Sequence, residues 1–404
     1  MSLETLHEPS LETTQTPARA SLYWLIIAAL LAVAALLMQV TNSFANLAFF
    51  AASLGMVAGV ALVVQNLHKN PAQRRWLIPL TIVVLVGILA ASRFTRLQVF
   101  LFGKEIAVNG EWIGLSYLVL RLIHVVVDSA KPDRAKTDQK EVVKRASFGE
   151  MAAYALFPPS LIAGPIHRID NFLPQLRRLP RSISPIEVVS NLERIGIGFA
   201  KKFVLADFLS LFALNAKVVN NPNVSPLVVW LSLFAFAFRL YFDFAGYSDM
   251  AIGVAGLIGI RLPENFANPY AQTNITRFWQ SWHMSLSSWL RDYIFVPVSR
   301  FLLKRFGAKR TALIMAISHI TTMVIAGLWH AFTLPFIVWG LWHGVGLFIH
   351  AQWSRMAHQR GWQTIVPSGV GVILTFMFVT IGWVFFALPD LQTSFRCLAR
   401  LINR

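Results

Sequence analysis

The chain has 404 residues, of which 56% are hydrophobic and only 14% are charged, whereas a soluble globular protein carries about 25% charged residues. This composition excludes an ordinary soluble protein and predicts an all-α polytopic membrane protein with one integrated domain. Lysine and arginine exceed aspartate and glutamate by 17. In a membrane protein that surplus indicates cationic loops against anionic lipid headgroups, so no nucleic-acid partner is expected.

The N-terminal part of the chain contains a tail and four predicted spans. Residues 1–19 are polar and are predicted to form a disordered tail, which leaves residues 20–404 for the membrane domain. Apolar runs long enough to cross a bilayer follow at 22–40, 46–67, 76–92 and 111–128. The loop after them is rich in lysine and arginine, which favours a cytoplasmic position. Counting back through the spans places the N-terminus in the cytoplasm as well.

The rest of the chain alternates spans with irregular segments. Six prolines between residues 148 and 190 break any long helix, so this part is predicted to be re-entrant or interfacial. Further spans are predicted at 190–216, 226–247, 249–260, 311–330, 334–351 and 369–389. Residues 261–310 mix prolines, tryptophans and cations, and are predicted to form interfacial helices and loops. The total is about nine to eleven membrane segments.

A histidine within an apolar run is the strongest functional candidate. His330 ends the sequence GLWH at residues 327–330, and Pro335 interrupts the helix predicted before it. Ionisable side chains inside membranes are scarce and usually functional, and histidine is suited to proton transfer near neutral pH. We therefore expect His330 to face a cavity. The alternative is an interfacial or core histidine bonded to a carbonyl. His343, in a second Trp-His pair, is a weaker candidate.

The Trp-rich stretch RFWQSWHMSLSSWLRDY, residues 277–293, is the second candidate. Its tryptophans are spaced as in a helix that lies at a membrane interface: Trp279, Trp282 and Trp289. Another set recurs every four residues and would share a second helical face: His283, Ser287 and Arg291. One histidine and one hydroxyl aligned in this way indicate a polar site beyond a simple membrane anchor.

The third candidate is Asp243 in the sequence RLYFDFAGYSD, residues 239–249. An ionised aspartate at the centre of a membrane helix costs roughly 2.5–3.5 kcal/mol and needs compensation. Arg239, one turn earlier, is the predicted partner, and a structural ion pair is the favoured interpretation. Tyr247, one turn later, is expected to line a cavity beside Asp243. The pair Lys201-Lys202 is interpreted as interfacial charge. The sequence shows no metal-ligand spacing and no phosphate-binding glycine loop.

Taken together, these stretches resemble the membrane-bound O-acyltransferase family. The resemblance is closest to the bacterial branch that includes alginate O-acetylation and D-alanyl transfer to teichoic acids. The matching stretches lie in order within residues 115–350: 157–166, 201–207, 241–249, 265–269, 278–293, 327–330 and 339–344. The resemblance implies a ring-like helical fold around a central tunnel. It also implies that His330 is the catalytic histidine and that His283 is the second recurring polar position.

The resemblance therefore predicts an enzyme of the bacterial inner membrane. It would move an acetyl or D-alanyl group from a cytoplasmic thioester, on coenzyme A or a carrier protein, to an extracytoplasmic hydroxyl, with His330 as general base. No permanently bound cofactor or metal is expected, whereas an extracytoplasmic transferase- or esterase-like partner is. The predicted substrate-lining residues are Asp243, Tyr247, Ser287, Arg291, Trp282, Trp329 and His343.

Two features bear on the acyl group, and two other functions stay open. Residues 298–304 lack the Gly-Gly-rich turn of alginate-type members, and the chain ends soon after the predicted span near Leu388. Both features favour the shorter D-alanyl-transfer type. The alternatives are a proton-coupled transporter or flippase that uses Asp243 and the histidines, and a non-catalytic scaffold.

Overall fold

The computed structural model describes residues 44–93, 114–130, 146–179, 182–362 and 365–402, and within these ranges it contains helices and turns but no β-strand. The predicted tail at 1–19 and the predicted span at 22–40 lie outside the described residues. In chain order the α-helices are α1 (Phe44–Lys69), α2 (Arg74–Ala91), α3 (Leu115–Ser129), α4 (Phe148–Ala155), α5 (Pro158–Leu161), α6 (Ile169–Arg177), α7 (Pro185–Phe199), α8 (Asp207–Ser210), α9 (Ala216–Asn220), α10 (Pro226–Leu257), α11 (Ile275–Ser281), α12 (Met284–Leu290), α13 (Val296–Phe306), α14 (Thr311–His330), α15 (Leu334–Arg360), α16 (Ser368–Ala387) and α17 (Leu391–Ile402).

Six of the described helices are long and apolar enough to cross a membrane. They are Ala48–Lys69, Pro71–Ala91, Pro226–Leu257, Ala308–His330, Leu334–Arg360 and Ser368–Ala387. All-α polytopic architecture is thereby confirmed, as are the spans predicted at 46–67, 76–92, 311–330, 334–351 and 369–389. The total of nine to eleven membrane segments stays a prediction.

The predicted division into two spans, 226–247 and 249–260, is wrong, because α10 is one continuous helix of 32 residues. Gly246 does not interrupt it. The absence of a side chain there lets α7 approach: a Cβ atom at Gly246 would lie 2.6 Å from the carbonyl oxygen of Gly198. The glycine therefore serves helix packing and not a turn.

The helix predicted as a span at 190–216 begins and ends earlier, at Pro185 and Ser210, and it carries its lysines on one face. Helix α7 continues through a π-helical segment, Ala200–Ala206, into α8, which ends at Ser210. Its apolar side chains, such as Ile186 and Phe208, point outward and are exposed. Lys201 and Lys202 instead pair with carboxylates of α10, so the interpretation of these lysines as interfacial charge is wrong.

The part predicted to be re-entrant or interfacial forms the short helices α4, α5 and α6 and no single span. Prolines explain the breaks: Pro158 opens α5, and Pro174 lies within α6. The span predicted at 111–128 corresponds to α3, which has only 15 residues and is buried along most of its length. Helix α3 packs mainly against α1 and α2.

Helices α14 and α15 form a closely packed antiparallel pair that positions His330. A Cβ atom at Gly340 would lie 2.5 Å from the carbonyl oxygen of Met323, and one at Gly344 would lie 2.8 Å from Cα of Ile320. Small residues at such contacts allow backbones to approach closely in membranes. The pairing fixes the C-terminal end of α14, where His330 lies, against the first turns of α15.

Basic residues gather at one end of the helices, which we call the basic end. It contains the α1–α2 turn (69–75), the α13–α14 turn (304–310) and the last turns of α15 (355–360). His330 ends α14 at the opposite end, where Nη1 of Arg93 donates a hydrogen bond to its carbonyl oxygen at 3.2 Å. The chain thus presents two chemically different ends.

Candidate active site

The Trp-rich stretch forms two short helices, α11 and α12, with His283 at the break between them. His283 has φ 43°, in the left-handed region, and its side chain is buried. The prediction of one interfacial helix is therefore wrong. Trp282 and Trp289 are also buried, and Nε1 of Trp289 donates to the carbonyl oxygen of Leu120 at 3.1 Å. These tryptophans pack inside the protein and do not anchor it at a membrane surface.

Asn265 holds the break in place. Its backbone oxygen accepts a hydrogen bond from the amide of Met284 at 2.9 Å. Its side-chain Oδ1 accepts from the amide of Ser285 at 3.3 Å and from the hydroxyl of Ser285 at 2.7 Å. Its Nδ2 donates to the hydroxyl of Ser248 on α10 at 3.1 Å. One buried amide thus joins α10 to the start of α12 and sets the backbone around His283.

The same amide fixes the tautomer of His283. Nδ1 of His283 lies 3.2 Å from Oδ1 of Asn265. A backbone N–H can only donate, so the side-chain atom that meets the amide of Ser285 must be the oxygen. Nδ1 of His283 must therefore donate, and the lone pair of the neutral imidazole is on Nε2. The hydroxyl of Tyr117 on α3 lies 3.5 Å from Nε2 and faces it as a donor.

His330 is the last residue of α14, and its ring is partly open to solvent. Four aromatic rings surround it with centroids between 4.8 and 5.9 Å away: those of Trp329, Phe336, Trp339 and Phe386. Its backbone carbonyl accepts a hydrogen bond from Arg93, and within the described ranges no group bonds its ring nitrogens. The imidazole is therefore oriented by aromatic packing while its nitrogens are left for a ligand.

Trp329 joins the two histidines. Its ring centroid lies 4.8 Å from that of His330 and 6.4 Å from that of His283. Tyr117 closes the cluster, at 5.5 Å from Trp329 and 6.4 Å from His283. The structure therefore brings both predicted catalytic histidines into contact with one indole ring. Tyr117 is a member of this cluster that the sequence did not indicate, and Asn265 begins the matching stretch 265–269 but was given no role there.

A cavity of about 390 Å³ adjoins the residues that follow His283. Met284 and Ser285, which directly follow His283, line it together with Asn171, Arg168 and Arg261. Nη2 of Arg168 bonds Oδ2 of Asp292 at 2.5 Å, and its Nη1 bonds the hydroxyl of Tyr293 at 2.7 Å. These bonds orient one guanidinium of the cavity wall.

Within the described residues, the bonds of Asp243 and Tyr247 go to groups other than the two histidines. Asp243 pairs with Nζ of Lys202 at 2.5 Å, and its side chain is half exposed, so the predicted pair with Arg239 is wrong. Arg239 is exposed on another part of α10. The hydroxyl of Tyr247 donates to the carbonyl oxygen of Pro159 at 3.4 Å.

His343 is fully buried in an aromatic cage. Within the described residues neither of its ring nitrogens has a hydrogen-bond partner. The nearest rings have centroids 5.0 to 5.9 Å away: those of Trp279, Trp339, Phe378 and Trp383. A Cβ atom at Gly382 would lie 2.8 Å from Nε2 of His343. This environment gives His343 a packing position with no opening for a substrate.

The remaining predicted residues occupy the periphery of the cluster. The hydroxyl of Ser287 donates to the carbonyl oxygen of Trp282 at 3.0 Å, which caps the break before His283. Arg291 is exposed and bonds its neighbour Asp292 at 2.9 Å. Across the described part of the chain, no group of three or more His, Cys, Asp or Glu side chains is arranged to hold a metal ion.

Arg121 is a buried cation that the sequence did not indicate. It is fully buried on α3, and its guanidinium bonds the carbonyl oxygen of Ala155 at 2.9 Å, the hydroxyl of Ser160 at 2.8 Å and the carbonyl oxygen of Ser160. The hydrogen bonds of its guanidinium go to carbonyl groups and a hydroxyl, and to no carboxylate of the described residues. Arg121 thereby ties α4 and α5 to the helix that carries Tyr117.

Comparison with known proteins decides the family. Residues 12–388 match the membrane-bound O-acyltransferase (MBOAT) family. The chain belongs to this family. It is 31% identical over 363 residues to the probable alginate O-acetylase AlgI of Pseudomonas aeruginosa. The alignment covers 87% of this chain and 64% of that protein. The chain thus spans just under two thirds of that relative's length.

Two other relatives of this MBOAT chain carry different names. The peptidoglycan O-acetyltransferase of Helicobacter pylori is 29% identical over 85% of this chain and 68% of its own length. The teichoic acid D-alanyltransferase of Streptococcus thermophilus is 31% identical over 64% of this chain and 62% of its own length. The sequence identities to the three relatives are similar, so they do not indicate whether this chain transfers an acetyl or a D-alanyl group.

Proposed function

We propose that the protein is a membrane O-acyltransferase. It moves an acetyl or D-alanyl group from a cytoplasmic thioester to a hydroxyl of an extracytoplasmic cell-envelope polymer or of a partner protein. The observation that carries this proposal is that His283 and His330 both contact the ring of Trp329. Residues next to His283 line a cavity that also contains Arg168 and Arg261, and His330 ends a membrane helix at the end opposite the basic end.

The two substrates are assigned to opposite ends by charge. Basic loops stay on the cytoplasmic side of a membrane, so the basic end faces the cytoplasm of a bacterial inner membrane. The thioester donor, on coenzyme A or a carrier protein, enters the cavity beside Met284 and Ser285. The acceptor hydroxyl reaches His330 from the outer side, where the histidine ring is partly open.

The reaction needs one proton transfer and one acyl transfer. A ring nitrogen of His330 takes the proton of the acceptor hydroxyl while the hydroxyl oxygen attacks the thioester carbonyl carbon. The carbon–sulfur bond then breaks, and the leaving thiolate receives that proton, so the products are an ester and a thiol. Positioned proton transfer contributes about 10²–10⁴-fold, and alignment of the two substrates supplies much of the remaining acceleration.

His283 has a different task in this scheme. Because its Nδ1 donates to Asn265, the neutral ring presents only an acceptor, Nε2. It therefore positions the donor by accepting a hydrogen bond in place of the one from Tyr117, and it does not donate to the thioester carbonyl oxygen. The names of the relatives refer to alginate, peptidoglycan and teichoic acid, which supports a cell-envelope polymer as acceptor. Delivery to such a polymer requires an extracytoplasmic transferase- or esterase-like partner.

The test is mass spectrometry of the acyl content of envelope polymers from cells with a gene deletion and with plasmid-borne variants. The wild-type gene and H358A, which changes an exposed histidine at the basic end of α15, should restore acylation. H330A should not restore it, although the protein is present in the membrane at normal abundance. Near-normal acylation with H330A would refute the role of His330. Vectorial transport without any covalent acylation would instead support the transporter alternative.

A further inference from the structure

One large cavity lies away from the two histidines. Its volume is about 840 Å³, and it opens between the basic-end halves of α15 and α16 and the residues that begin α11. We call it the inner groove. At one wall of the groove α16 approaches the chain before α11 closely, because Gly371 has no side chain: a Cβ atom there would lie 2.6 Å from the carbonyl oxygen of Thr273. His350 is fixed in the groove by Thr276, at 2.8 Å, and by Ser354, at 3.3 Å.

The inner groove changes character along its length. Toward the middle of the membrane it is lined by apolar side chains, including Ile349 and Leu374, which are each 60% exposed. Toward the basic end it is lined by Trp353, Trp362 and Arg277. Tryptophan is enriched at the membrane–water interface. The groove therefore offers an apolar wall at hydrocarbon depth and an aromatic, cationic rim at headgroup depth.

The rim has unmatched positive charge. Arg277 is exposed, and the only bond that its guanidinium makes to a described residue is to the hydroxyl of Thr273, at 3.4 Å. The guanidinium of Arg360 lies 4.9 Å from the ring of Trp362. None of the described residues that line the groove is acidic. A guanidinium has five N–H donors and matches phosphate geometry. The rim therefore has the chemistry to bind a phosphate group.

The length of the groove selects the kind of occupant. Along α16 it extends only from Ser368 to Phe378, about 16 Å of helix. That is about half of the hydrocarbon thickness of about 30 Å, which corresponds to one leaflet. A transmembrane helix of a partner would need a groove of full thickness. A single phospholipid of the leaflet at the basic end fits the observed length.

We propose that the inner groove binds one anionic phospholipid, with its phosphate against Arg277 and an acyl chain along Ile349 and Leu374. Basic pockets between membrane helices on the cytoplasmic side are recognised sites for anionic headgroups. The proposal is independent of acyl transfer, because the groove is separate from His283 and His330. It therefore has a test that reads lipid binding alone.

The test is native mass spectrometry of the purified full-length protein, titrated with phosphatidylglycerol or phosphatidylcholine of matched chains. Wild type should retain one phosphatidylglycerol with clear preference over phosphatidylcholine. R277Q should weaken that binding about tenfold, since charge-assisted hydrogen bonds are lost. The matched control is R355Q, which removes an exposed cation of α15 that does not line the groove, and it should bind as wild type does.

A second variant tests the apolar wall. L374W fills the part of the groove assigned to the acyl chain and should weaken binding of either lipid, while the exposure of Leu374 makes the change compatible with folding. Equal binding of the two lipids by wild type would overturn the proposal. So would equal losses in R277Q and R355Q, which would indicate attraction by overall charge and not by this groove.

Discussion

Asn265 and His283 are joined by a hydrogen bond of 3.2 Å between Oδ1 and Nδ1, and both side chains are buried. The same oxygen also serves the amide and the hydroxyl of Ser285. A single acceptor oxygen therefore holds the start of α12 and determines the position of the proton on the imidazole before it. This dependence makes Asn265 a positioning residue whose effect should reach acyl transfer through His283.

We expect N265A to reduce acyl transfer by tenfold or more and to lower the free energy of unfolding by about 1–3 kcal/mol, since buried donors lose their acceptor. The control is S248A, which removes only the partner of Nδ2 and leaves the bond to His283. It should cost stability but retain transfer. The measurements are thermal unfolding in detergent and transfer by purified protein. A parallel loss of transfer in both variants would mean that Asn265 acts only through stability.

The left-handed backbone at His283 leads to a second prediction. Asparagine tolerates a positive φ better than β-branched residues do. H283N should therefore fold with nearly normal thermal stability while losing transfer, because the acceptor Nε2 is gone. H283V should lose both thermal stability and transfer, since a β-branched residue in this backbone conformation destabilises the folded state by about 1–3 kcal/mol. Normal transfer by folded H283N would show that Nε2 of His283 has no part in positioning the donor.

The sequence predicted the helical class and five of the spans because long apolar runs are a local property that chain length and hydropathy reveal. It also placed His330 at a helix end, because Pro335 lies just beyond. The structure agrees, since α14 ends at His330 and α15 begins at Leu334. Features that depend on one helix and its immediate neighbours in sequence are therefore readable without a structure.

The contacts that complete the cluster around Trp329 could not be predicted from the sequence in the same way. Tyr117 lies 166 residues before His283 in the chain, and no local pattern indicates which residue of a buried helix meets a distant loop. Asp243 shows the same effect. Arg239 lies one helical turn before it, but its actual partner is Lys202, which lies in the π-helical segment between α7 and α8. Close docking of two helices determined the pair, and helical periodicity alone could not.

That docking gives a third prediction. A Cβ atom at Gly198 would lie 2.7 Å from the carbonyl oxygen of Gly246 and 2.9 Å from the amide nitrogen of Met250, whereas a Cβ atom at Gly196 would meet nothing within 4 Å. We expect G198A to separate α7 from α10 and lower the melting temperature, at a cost of about 1–3 kcal/mol. G196A should be neutral or stabilising by up to about 1 kcal/mol. Equal melting temperatures would contradict the close contact.

The charges between these helices give the last prediction. Asp249 bonds both Lys201, at 2.7 Å, and Arg194, at 3.0 Å, and its side chain is only 16% exposed. Asp243 has the single partner Lys202, and its side chain is 50% exposed. Removing one member of a largely buried pair leaves an uncompensated charge and is strongly destabilising, whereas an exposed pair contributes about 0–1 kcal/mol.

D249N should therefore lower the melting temperature clearly more than D243N, and the double variant D249N/K201M should recover part of the loss by removing the stranded cation. The measurement is thermal unfolding of the purified variants in one detergent. Equal effects of D249N and D243N would show that water or lipid headgroups screen both pairs alike. In that case the inward charges of α7 would not contribute to holding it against α10, and the glycine contact at Gly198 would remain as the main cause of their docking.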